Sequence, residues 1–472
     1  MVSRSSTLKD TVIANGMCSG CGVCAASSDV FSIQLTDDGT FQATVQNQEP
    51  DGISSVCPFS DQSQNEDQIG EALFASTCEY KQGIGYFSDC YAGHVTLPEV
   101  RKAGSSGGMG TWILLELLEQ GLVDGILHVG GCDNADGVPF KYAISRTKEQ
   151  VQARSKSRYY PVEMSEVLKE LRVLDGKFAV VGLPCFVKGI RLLSKHDKEI
   201  ERRVAFTVAL FCGHLKSSHF ADFFAWQAGI MPGGLQAINF RTKLQERAAS
   251  NYGISVRGEG VDHCRANSEY EGSSWGYGFF KYSACEFCDD VVGETADISV
   301  GDAWLPEYVN DSGGSNVVIV RNEAIRGIVD SAIGSGKLAF ERVAPERVIE
   351  SQDAGLRHRR DGLAYRLHLR DQQNLWRPKK RVEPSASHLN ERQKRVFELR
   401  QEIASESHKA FVVATDRGDL SEFFRLMQPL LSAYDKLYRP SLMSRVKTKT
   451  FVELSRVKKW VARMASRSQV DG

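Results

Sequence analysis

The pattern of apolar runs and turn residues predicts a strand–helix–strand unit near the middle of the chain. Phe178–Val181 is apolar and rich in β-branched residues, which is typical of a buried strand, and the run stops at Gly182-Leu183-Pro184. A helical pattern begins at Phe186, and a second apolar run follows at Val204–Phe211. Strands joined through a helix pair in parallel, so we expect both strands to end at the same edge of one sheet.

Similar patterns predict elements on both sides of this unit. Phe31, Ile33 and Leu35 alternate with polar residues, and the alternation resumes after the turn at Asp37-Asp38-Gly39, which indicates a β-hairpin. The other predicted elements are a helix at Thr111–Gln120, strands at Ala296–Asp302 and Val317–Val320, and helices at Leu389–Ala414 and Leu420–Tyr438.

Composition and charge narrow the classes of protein that fit. The chain has 472 residues and a formal net charge of -1, so it can hold two or three domains and shows no bias towards a nucleic-acid partner. The amino end lacks the apolar core of a secretion signal, and no stretch approaches about 18 uninterrupted apolar residues. We therefore expect a cytoplasmic protein whose 12 cysteines serve metal or redox chemistry rather than structural disulfides.

The first cysteine motif lies close to the amino end. Cys18, Cys21 and Cys24 form a C-x-x-C-x-x-C run, and Cys57 follows the predicted hairpin and precedes Pro58. Short spacers with glycines permit the positive-φ turns that direct backbone N–H groups at sulfur, and the hairpin returns the chain to the first three thiols. The pattern indicates a ferredoxin-type cluster; a zinc knuckle, which more often uses two separated pairs, is the alternative.

A second set of cysteines follows the two central strands. Cys185 and Cys212 each come directly after one of them, at the edge where α/β sheets bind their ligands. The close pair Cys285 and Cys288 could complete a four-thiolate site. The four other cysteines are expected to be buried free thiols, and they are the substitutes if one of these ligand assignments fails: Cys78, Cys90, Cys132 and Cys264.

Two polar segments are candidates for binding an anion. The small-residue loop Ser105–Gly108 precedes the Thr111 helix, and such a loop offers unpaired N–H groups to phosphates or simply caps the helix. Lys156–Pro161 adds two cations and two aromatic rings, which suit either a phosphate and a flat ring or an exposed basic turn. A third basic patch, Asn239–Lys243, is expected to be solvated.

These motifs, taken in order, resemble the beta subunits of coenzyme F420-reducing hydrogenases and dehydrogenases. The resemblance rests on Gly104–Leu118, Lys156–Pro161, G-L-P-C-F-V-K-G-I-R, the L-F-C ending at Cys212, Cys285-x-x-Cys288 and A-D-I-S-V-G-D, and it covers roughly Tyr91 to Arg342. Relatives of this family include 7-hydroxymethyl chlorophyll a reductase and divinyl chlorophyllide reductase. Residues 15–60 are similar to the ferredoxin-type module that many members carry in front.

The resemblance implies FAD and one 4Fe–4S cluster in an α/β core, besides the amino-terminal 4Fe–4S cluster. The implied cluster ligands are Cys185, Cys212, Cys285 and Cys288 in the core and Cys18, Cys21, Cys24 and Cys57 in front. The segments that match flavin-binding ones contain Ser105, Ser106, Gly107, Gly108, Lys156, Ser157, Arg158 and Tyr159. The expected fold is α/β with mixed α+β character: a ferredoxin-like iron–sulfur module (1–90), a flavin-binding core (91–345), and a linker with a helical basic tail (346–472).

The expected function is an oxidoreductase that passes electrons from a ferredoxin-like donor through two clusters to FAD, and from FAD as hydride to a small organic substrate. The alternatives are an electron-transfer subunit feeding a partner enzyme or a deazaflavin coenzyme, and a zinc-stapled interaction protein. His128, His214 and Asp302 are proton-donor candidates by residue type alone. The tail from Lys436 to Gly472 has ten Lys or Arg against two acids, which suits a helix on an anionic membrane or one packed on its own protein.

Overall fold

A large mixed sheet organises the chain. The structure is a computed structural model that describes residues 7–131 and 139–438, and its strands and helices are numbered here in chain order. In spatial order the eight strands of the sheet are β15 (Leu338–Arg342), β5 (Asp89–Val95), β14 (Asn316–Val320), β13 (Ile298–Asp302), β9 (Val204–Leu210), β8 (Phe178–Gly182), β6 (Gly125–Gly131) and β7 (Phe140–Ser145).

The predicted strand–helix–strand unit is confirmed. Strands β8 and β9 pair in parallel, and two helices, α7 (Pro184–Ser194) and α8 (Lys198–Arg203), connect them. Pro184 occupies the first turn of α7, where a missing N–H costs no hydrogen bond. Strand β13 also runs parallel to β9, so the carboxyl ends of these three strands lie at one edge of the sheet.

The two faces of the sheet belong to different apolar clusters because successive side chains of a strand point in opposite directions. Phe178 and Val180 pack in the same cluster as Phe186 of α7, whereas Ala179 packs with Trp112 on the other face. The helices between β5 and the central strands are α3 (Pro98–Ala103), α4 (Met109–Glu119), α5 (Lys148–Ala153) and α6 (Ser165–Val173). Helix α4 confirms the helix that was predicted at Thr111–Gln120.

The amino-terminal part contains the predicted hairpin. Strands β1 (Phe31–Leu35) and β2 (Phe41–Val45) pair antiparallel, with Phe31 opposite Val45. The other elements of this part are α1 (Val23–Ser27), α2 (Glu66–Phe74), β3 (Glu79–Lys81) and β4 (Gly85–Phe87). One apolar cluster contains residues of this part, such as Val23, together with Ile190 of α7 and Leu367 in the segment that follows the sheet. The domain boundaries predicted from the sequence therefore stay predictions.

The remaining elements follow the core thiols and strands. Helix α9 (His219–Gln227) and the three-stranded antiparallel sheet β10 (Ala237–Thr242), β11 (Gly253–Gly258) and β12 (Val261–Ala266) come after β9. Helix α10 (Glu323–Gly334) separates β14 from β15. The carboxyl-terminal helices are α11 (Pro345–Ser351), α12 (Asp353–Arg359), α13 (Asp361–Gln372), α14 (Glu391–Arg417) and α15 (Leu420–Tyr438).

Helices α14 and α15 confirm the two helices predicted for the carboxyl end. The chain divides into two compact units, residues 1–427 and 428–472, and residues 428–438 of the second unit are the end of α15. The predicted basic amphipathic helix beyond Lys436 lies almost wholly outside the described residues. Within those residues, no helix has the length and apolar character required to span a bilayer.

Candidate functional site

The structure brings the four amino-terminal cysteines together. Burial and the neighbouring thiols of Cys18, Cys21 and Cys57 hold the pKa of Cys24 well above its usual value. Burial likewise raises the pKa of Cys21 to about 12. We call Cys18, Cys21, Cys24 and Cys57 the N-terminal thiol set. Four thiols that share one site repel each other as thiolates, so a cation or a cationic cluster is needed to hold them together in that form.

Backbone N–H groups point at this thiol set. Gly20 N and Ala43 N each donate to Cys18 Sγ at 3.4 Å. The expected positive φ of the motif glycines is confirmed at Gly20 (67°) and Gly22 (85°). A Cβ on Gly20 would stand 2.5 Å from the carbonyl oxygen of Phe41, so the close approach of hairpin and loop requires glycine there.

The four core cysteines also converge. Cys185 lies in the first turn of α7, Cys212 follows β9, and the Cys285–Cys288 segment folds against them. All four line one small cavity, together with Arg359 and Asp290. Leu215 N donates to Cys285 Sγ at 3.2 Å. We call Cys185, Cys212, Cys285 and Cys288 the core thiol set.

The two thiol sets are neighbours. Burial and the three other core thiols raise the pKa of Cys185, and the thiol of Cys21 raises it further. Ser19 and Phe59 of the amino-terminal part line the core cavity as well. A one-electron carrier in one set would therefore have the other set close by.

A buried salt-bridge network fixes the Cys285–Cys288 segment. Glu286 lies between the two cysteines, and its carboxylate pairs with Lys281 and, at 3.1 Å, with Nε of Arg366 on α13. His358 Nε2 stands 3.4 Å from the same carboxylate. Burial alone would raise the pKa of Glu286, but these cations hold it well below its usual range. The thiol loop is thus tied to the helices that follow the sheet.

The two predicted anion-binding segments meet at the same edge of the sheet. Ser157 N donates to Ser105 Oγ at 2.8 Å, and Lys156 Nζ donates to the carbonyl of Gly104 at 3.3 Å. Lys156 has φ = 99°, in the region that L side chains rarely adopt. Such strain costs roughly 1–3 kcal/mol and is concentrated at functional sites.

The third basic patch is part of this site, so the expectation that it is solvated was wrong. Arg241 is only 5% exposed, and its NH1 donates to Tyr159 OH at 3.2 Å and to Asp302 Oδ2 at 3.0 Å. Lys243 Nζ donates to the carbonyl of Ser106 at 2.7 Å. Strand β10 carries both residues to the loop, a long-range pairing that the local sequence does not reveal.

The resulting basic cluster has more cations than nearby acids. It consists of Arg101, Lys156, Arg158, Arg241 and Lys243. Asp302 pairs with Arg241 and Asp311 with Arg101, but among the described residues no carboxylate forms an ion pair with the other three cations. Burial and the neighbouring cations lower the pKa of Lys243 to about 7 and that of Lys156 to about 8.

Two further observations bear on an anionic ligand at the basic cluster. In the described part of the chain, the buried Nε atoms of Arg158 and Arg241 have no hydrogen-bond partner. The cavity of about 360 Å³ near Ser315 is not the anion site, because its lining includes the carboxylates Glu307, Asp311 and Glu341 and none of the five cations. The side chains therefore offer unused donors and excess positive charge.

Aromatic side chains connect the basic cluster to the core thiols. Tyr159 packs edge-on against Trp275, with 5.1 Å between ring centroids, and Trp275 is 37% exposed. The ring of His214 lies 4.6 Å from that of Trp275, and His214 follows Cys212 by two residues. Burial and, after it, the cations Lys216 and Lys281 lower the pKa of His214 well below its usual value.

The other candidates have structural partners or lie elsewhere. His128 Nε2 is 2.8 Å from Ser145 Oγ, and burial followed by Arg154 lowers its pKa to about 4. Cys90 is buried in the sheet and Cys264 is exposed on β12. Cys78 is half-buried, and Cys132 lies outside the described residues. Neither thiol set needs one of these cysteines as a substitute.

Sequence reasoning missed Arg359, the last residue of α12. Its guanidinium is 2% exposed and faces the core cavity, and NH2 donates to the carbonyls of Cys212 at 3.2 Å and Gly213 at 2.6 Å. Burial opposes the charge, yet the four core thiols raise the pKa of Arg359 above its usual value. No local motif marks this arginine, because 147 residues separate it from Cys212.

Models of one protein family match more than half of the chain. The N-terminal region of the coenzyme F420 hydrogenase/dehydrogenase beta subunit matches residues 90–169, and its C-terminal region matches residues 175–346. These ranges contain the core thiol set and the basic cluster, whereas the N-terminal thiol set and Arg359 lie outside them. In residues 7–131 and 139–438, no group of three or more His, Cys, Asp or Glu side chains is arranged to hold a metal ion.

Individual relatives are similar over large parts of the chain. Coenzyme F420 hydrogenase subunit beta of Methanosarcina barkeri is 24% identical over 54% of this chain and 81% of its own length. An uncharacterised protein of Methanocaldococcus jannaschii is 22% identical over 73% of this chain and 94% of its length. The coenzyme F420-dependent sulfite reductase of the same organism is 25% identical over 47% of this chain and 33% of its length.

Among solved structures, the chain is similar to one in the xenon-derivatised F420-reducing [NiFe] hydrogenase complex from Methanosarcina barkeri. Sequence identity is 20%, the match covers 60% of this chain and 92% of that one, and the TM-score is 0.45. The family predicted from the motifs is thus confirmed by the two family models, and its chlorophyll-related members remain a prediction. The chain belongs to the coenzyme F420 hydrogenase/dehydrogenase beta subunit family of oxidoreductases.

Proposed function

We propose that this chain is an iron–sulfur flavoprotein oxidoreductase that carries electrons from a ferredoxin-like donor to a small organic hydride acceptor. Its cofactors are two 4Fe–4S clusters and one FAD. The N-terminal thiol set holds one cluster, the core thiol set holds the other, and the basic cluster holds the phosphates of FAD. When bound, the clusters exchange single electrons, and the flavin couples such transfers to two-electron hydride transfer.

The observation that carries the proposal is the convergence of Cys185, Cys212, Cys285 and Cys288 on one cavity with a buried arginine. Each thiol of a 4Fe–4S site binds its own iron, so the four need not approach one another as closely as ligands of a single ion do. Backbone N–H groups donate hydrogen bonds to Cys18 and Cys285, and hydrogen bonds of this kind stabilise the sulfur ligands of such clusters. These features favour iron–sulfur clusters over structural zinc.

The chemistry of the basic cluster supports a diphosphate ligand. Lys156 donates to the carbonyl of Gly104 and Lys243 to that of Ser106, at the Ser105–Gly108 loop, and the amino terminus of the eleven-residue helix α4 follows this loop. A pyrophosphate would supply the missing negative charge and accept from the unused Nε donors. The exposed face of Trp275, between this cluster and His214, suits stacking against a flat ring.

The residues next to the core thiols would control protons and water. His214 and buried Lys216 lie beside Trp275, and Lys216 Nζ stands 5.0 Å from that ring. Burial, then Lys281, lowers the pKa of Lys216 well below its usual value. Both side chains therefore lie close to where a flavin ring would stack. We assign neither of them the role of proton donor.

The names of the relatives favour a second candidate. One relative is a subunit of a coenzyme F420 hydrogenase, and another is a coenzyme F420-dependent sulfite reductase. In the second candidate function, this chain is the electron-transfer subunit of a larger assembly and exchanges hydride with a deazaflavin coenzyme. The proposed module boundaries, 1–90, 91–345 and 346–472, and the cytoplasmic location belong to both candidates. A colourless, zinc-containing protein would contradict both.

The test is anaerobic purification followed by analysis of iron, acid-labile sulfide, zinc and flavin. We expect about eight iron atoms and about one FAD per chain, in a brown protein. Cys57→Ser and Cys185→Ser should each remove about half of the iron, because each disables a different cluster. Cys264→Ser, at an exposed thiol outside both sets, is the matched control and should keep all of it. Rapid reduction of coenzyme F420 by the pre-reduced protein would select the second candidate.

A further inference from the structure

Arg359 is a buried cation without a carboxylate partner. It ends α12, outside the ranges that match the family models, and is 2% exposed. Its NH2 group bonds only to main-chain carbonyls, those of Cys212 and Gly213, and in the described part of the chain it forms no salt bridge. The next residue, Arg360, differs because its guanidinium pairs with Glu294 at 3.2 Å.

A guanidinium that is buried without a counter-charge is expensive, because desolvation is not recovered by Coulomb attraction. The four core thiols line the core cavity with Arg359, as does one carboxylate, Asp290. Asp290 forms no ion pair with Arg359 in the described structure, and its oxygens accept instead from the backbone N–H groups of Val292, Gly293 and Glu294. The negative charge that justifies this burial must therefore come from the core thiol set in its ligated, thiolate form.

The other cations near the core thiols have partners of their own. Lys281 pairs with Glu286, and Lys216 Nζ donates to the carbonyl of Phe279 and lies 4.3 Å from the centroid of the Phe220 ring. At the N-terminal thiol set, Lys188 lies close enough to Cys57 to lower its pKa, but this lysine pairs with Glu66 at 3.1 Å. Arg359 is thus the uncompensated charge in the described structure that distinguishes the core set from the N-terminal set.

We propose that Arg359 is the counter-cation of the core cluster and raises its reduction potential above that of the N-terminal cluster. This inference rests on the proposed function, since it requires two clusters. Reduction adds one negative charge next to the guanidinium, and a nearby positive charge in a water-poor site stabilises that added charge. Arg359 acts through the cluster's electrostatics, so we regard it as a positioning residue and not as a catalytic one.

The test is a redox titration of the full-length, anaerobically purified protein, monitored by EPR so that the two clusters are followed separately. Arg359→Gln removes the charge with little change in volume. We expect the equilibrium constant for one-electron reduction of the core cluster to fall at least about tenfold, which is about 59 mV for one electron. The N-terminal cluster should keep its potential.

Two further variants separate charge from packing. Arg359→Lys retains the charge and should keep most of the wild-type potential. Arg360→Gln removes the positive charge of the next residue instead. It should leave the reduction potentials of both clusters unchanged, because the Arg360 guanidinium pairs with Glu294. Loss of the core signal in Arg359→Gln with its retention in Arg359→Lys also supports the proposal.

Three results would overturn it: an unchanged core potential in Arg359→Gln, equal shifts in Arg359→Gln and Arg359→Lys, or an equal shift in Arg360→Gln. Failure of the proposed function has a different signature. A wild-type protein that contains no iron, or only one cluster, would refute that function before any arginine variant is compared.

Discussion

FAD binding should weaken as the pH rises from 6 to 8, because two lysines of the basic cluster lose their protons in this range. Burial and the neighbouring cations Lys156, Arg101 and Arg241 lower the pKa of Lys243 to about 7, although the carboxylate of Asp311 acts in the opposite direction. The pKa of Lys156 is lowered to about 8 by burial, Arg158 and Arg241. A bound pyrophosphate supplies the opposite charge and would return both amines to their protonated form.

The sign follows from proton linkage. In the flavin-free protein the folded-state pKa values lie below the ordinary lysine value of 10.5, so these amines are partly neutral near pH 8. Binding then takes up protons, about 1.4 at pH 8 and about 0.1 at pH 6, and affinity falls by up to about twentyfold between the two. Solvent screening of amines that are partly exposed reduces the effect, so we expect about fivefold to twentyfold.

The assay is calorimetric titration of flavin-depleted protein with FAD at pH 6 and pH 8, in two buffers of different ionisation enthalpy. Lys243→Arg keeps its charge throughout and should leave only the contribution of Lys156, about twofold. Lys102→Arg, at an exposed lysine of the same segment, is the matched control and should retain the wild-type dependence. A wild-type change below about twofold, or a Lys243→Arg protein as pH-sensitive as the wild type, would refute the reasoning.

Two other substitutions test the thiol loops. Glu286→Gln leaves Lys281 and Arg366 buried without their counter-charge, so the free energy of unfolding should fall by about 3–5 kcal/mol in anaerobic denaturation, and Glu406→Gln, in an exposed pair, should lose nothing measurable. Equal losses in the two would contradict the network. Gly20→Ala should remove the N-terminal cluster, seen as loss of its EPR signal, because its Cβ would meet Phe41 O at 2.5 Å; Gly16→Ala, at φ = 64° with open space around it, should keep the cluster. A cluster in both variants would refute the steric argument.

The sequence predicted the parts of the site that local patterns encode. Apolar runs that end in glycine and proline fixed the parallel pair β8 and β9, and with it the approach of Cys185 to Cys212. The hairpin pattern likewise explained how Cys57 returns to the other N-terminal thiols. In both cases the spacing of residues close in sequence decides the geometry.

Long-range packing decided what the sequence left open. Arg241 is buried and Lys243 half-buried because β10 and the residue after it meet the Ser105–Gly108 loop, whereas a short basic stretch is more often solvated. Strand β5 lies between β14 and β15 in the antiparallel half of the sheet, and it comes from a segment, residues 60–100, with little periodicity of its own. Such contacts depend on neighbours hundreds of residues away, which no local pattern reports.

A short segment of the predicted linker and tail (346–472), Arg377–Ser385, connects the surroundings of the two thiol sets. Arg381 pairs with Asp67 at 2.8 Å, on the helix that follows Cys57, and with Glu294 at 2.7 Å, in the core. Lys380 Nζ lies 3.3 Å from Asp289, the residue directly after Cys288. Buried ion pairs of this kind add little net stability compared with apolar packing, but they tolerate only one geometry. Single-electron transfer between two clusters depends on their separation. The ion pairs of Lys380 and Arg381, which restrict this segment to one geometry, therefore serve the proposed function better than a flexible linker would.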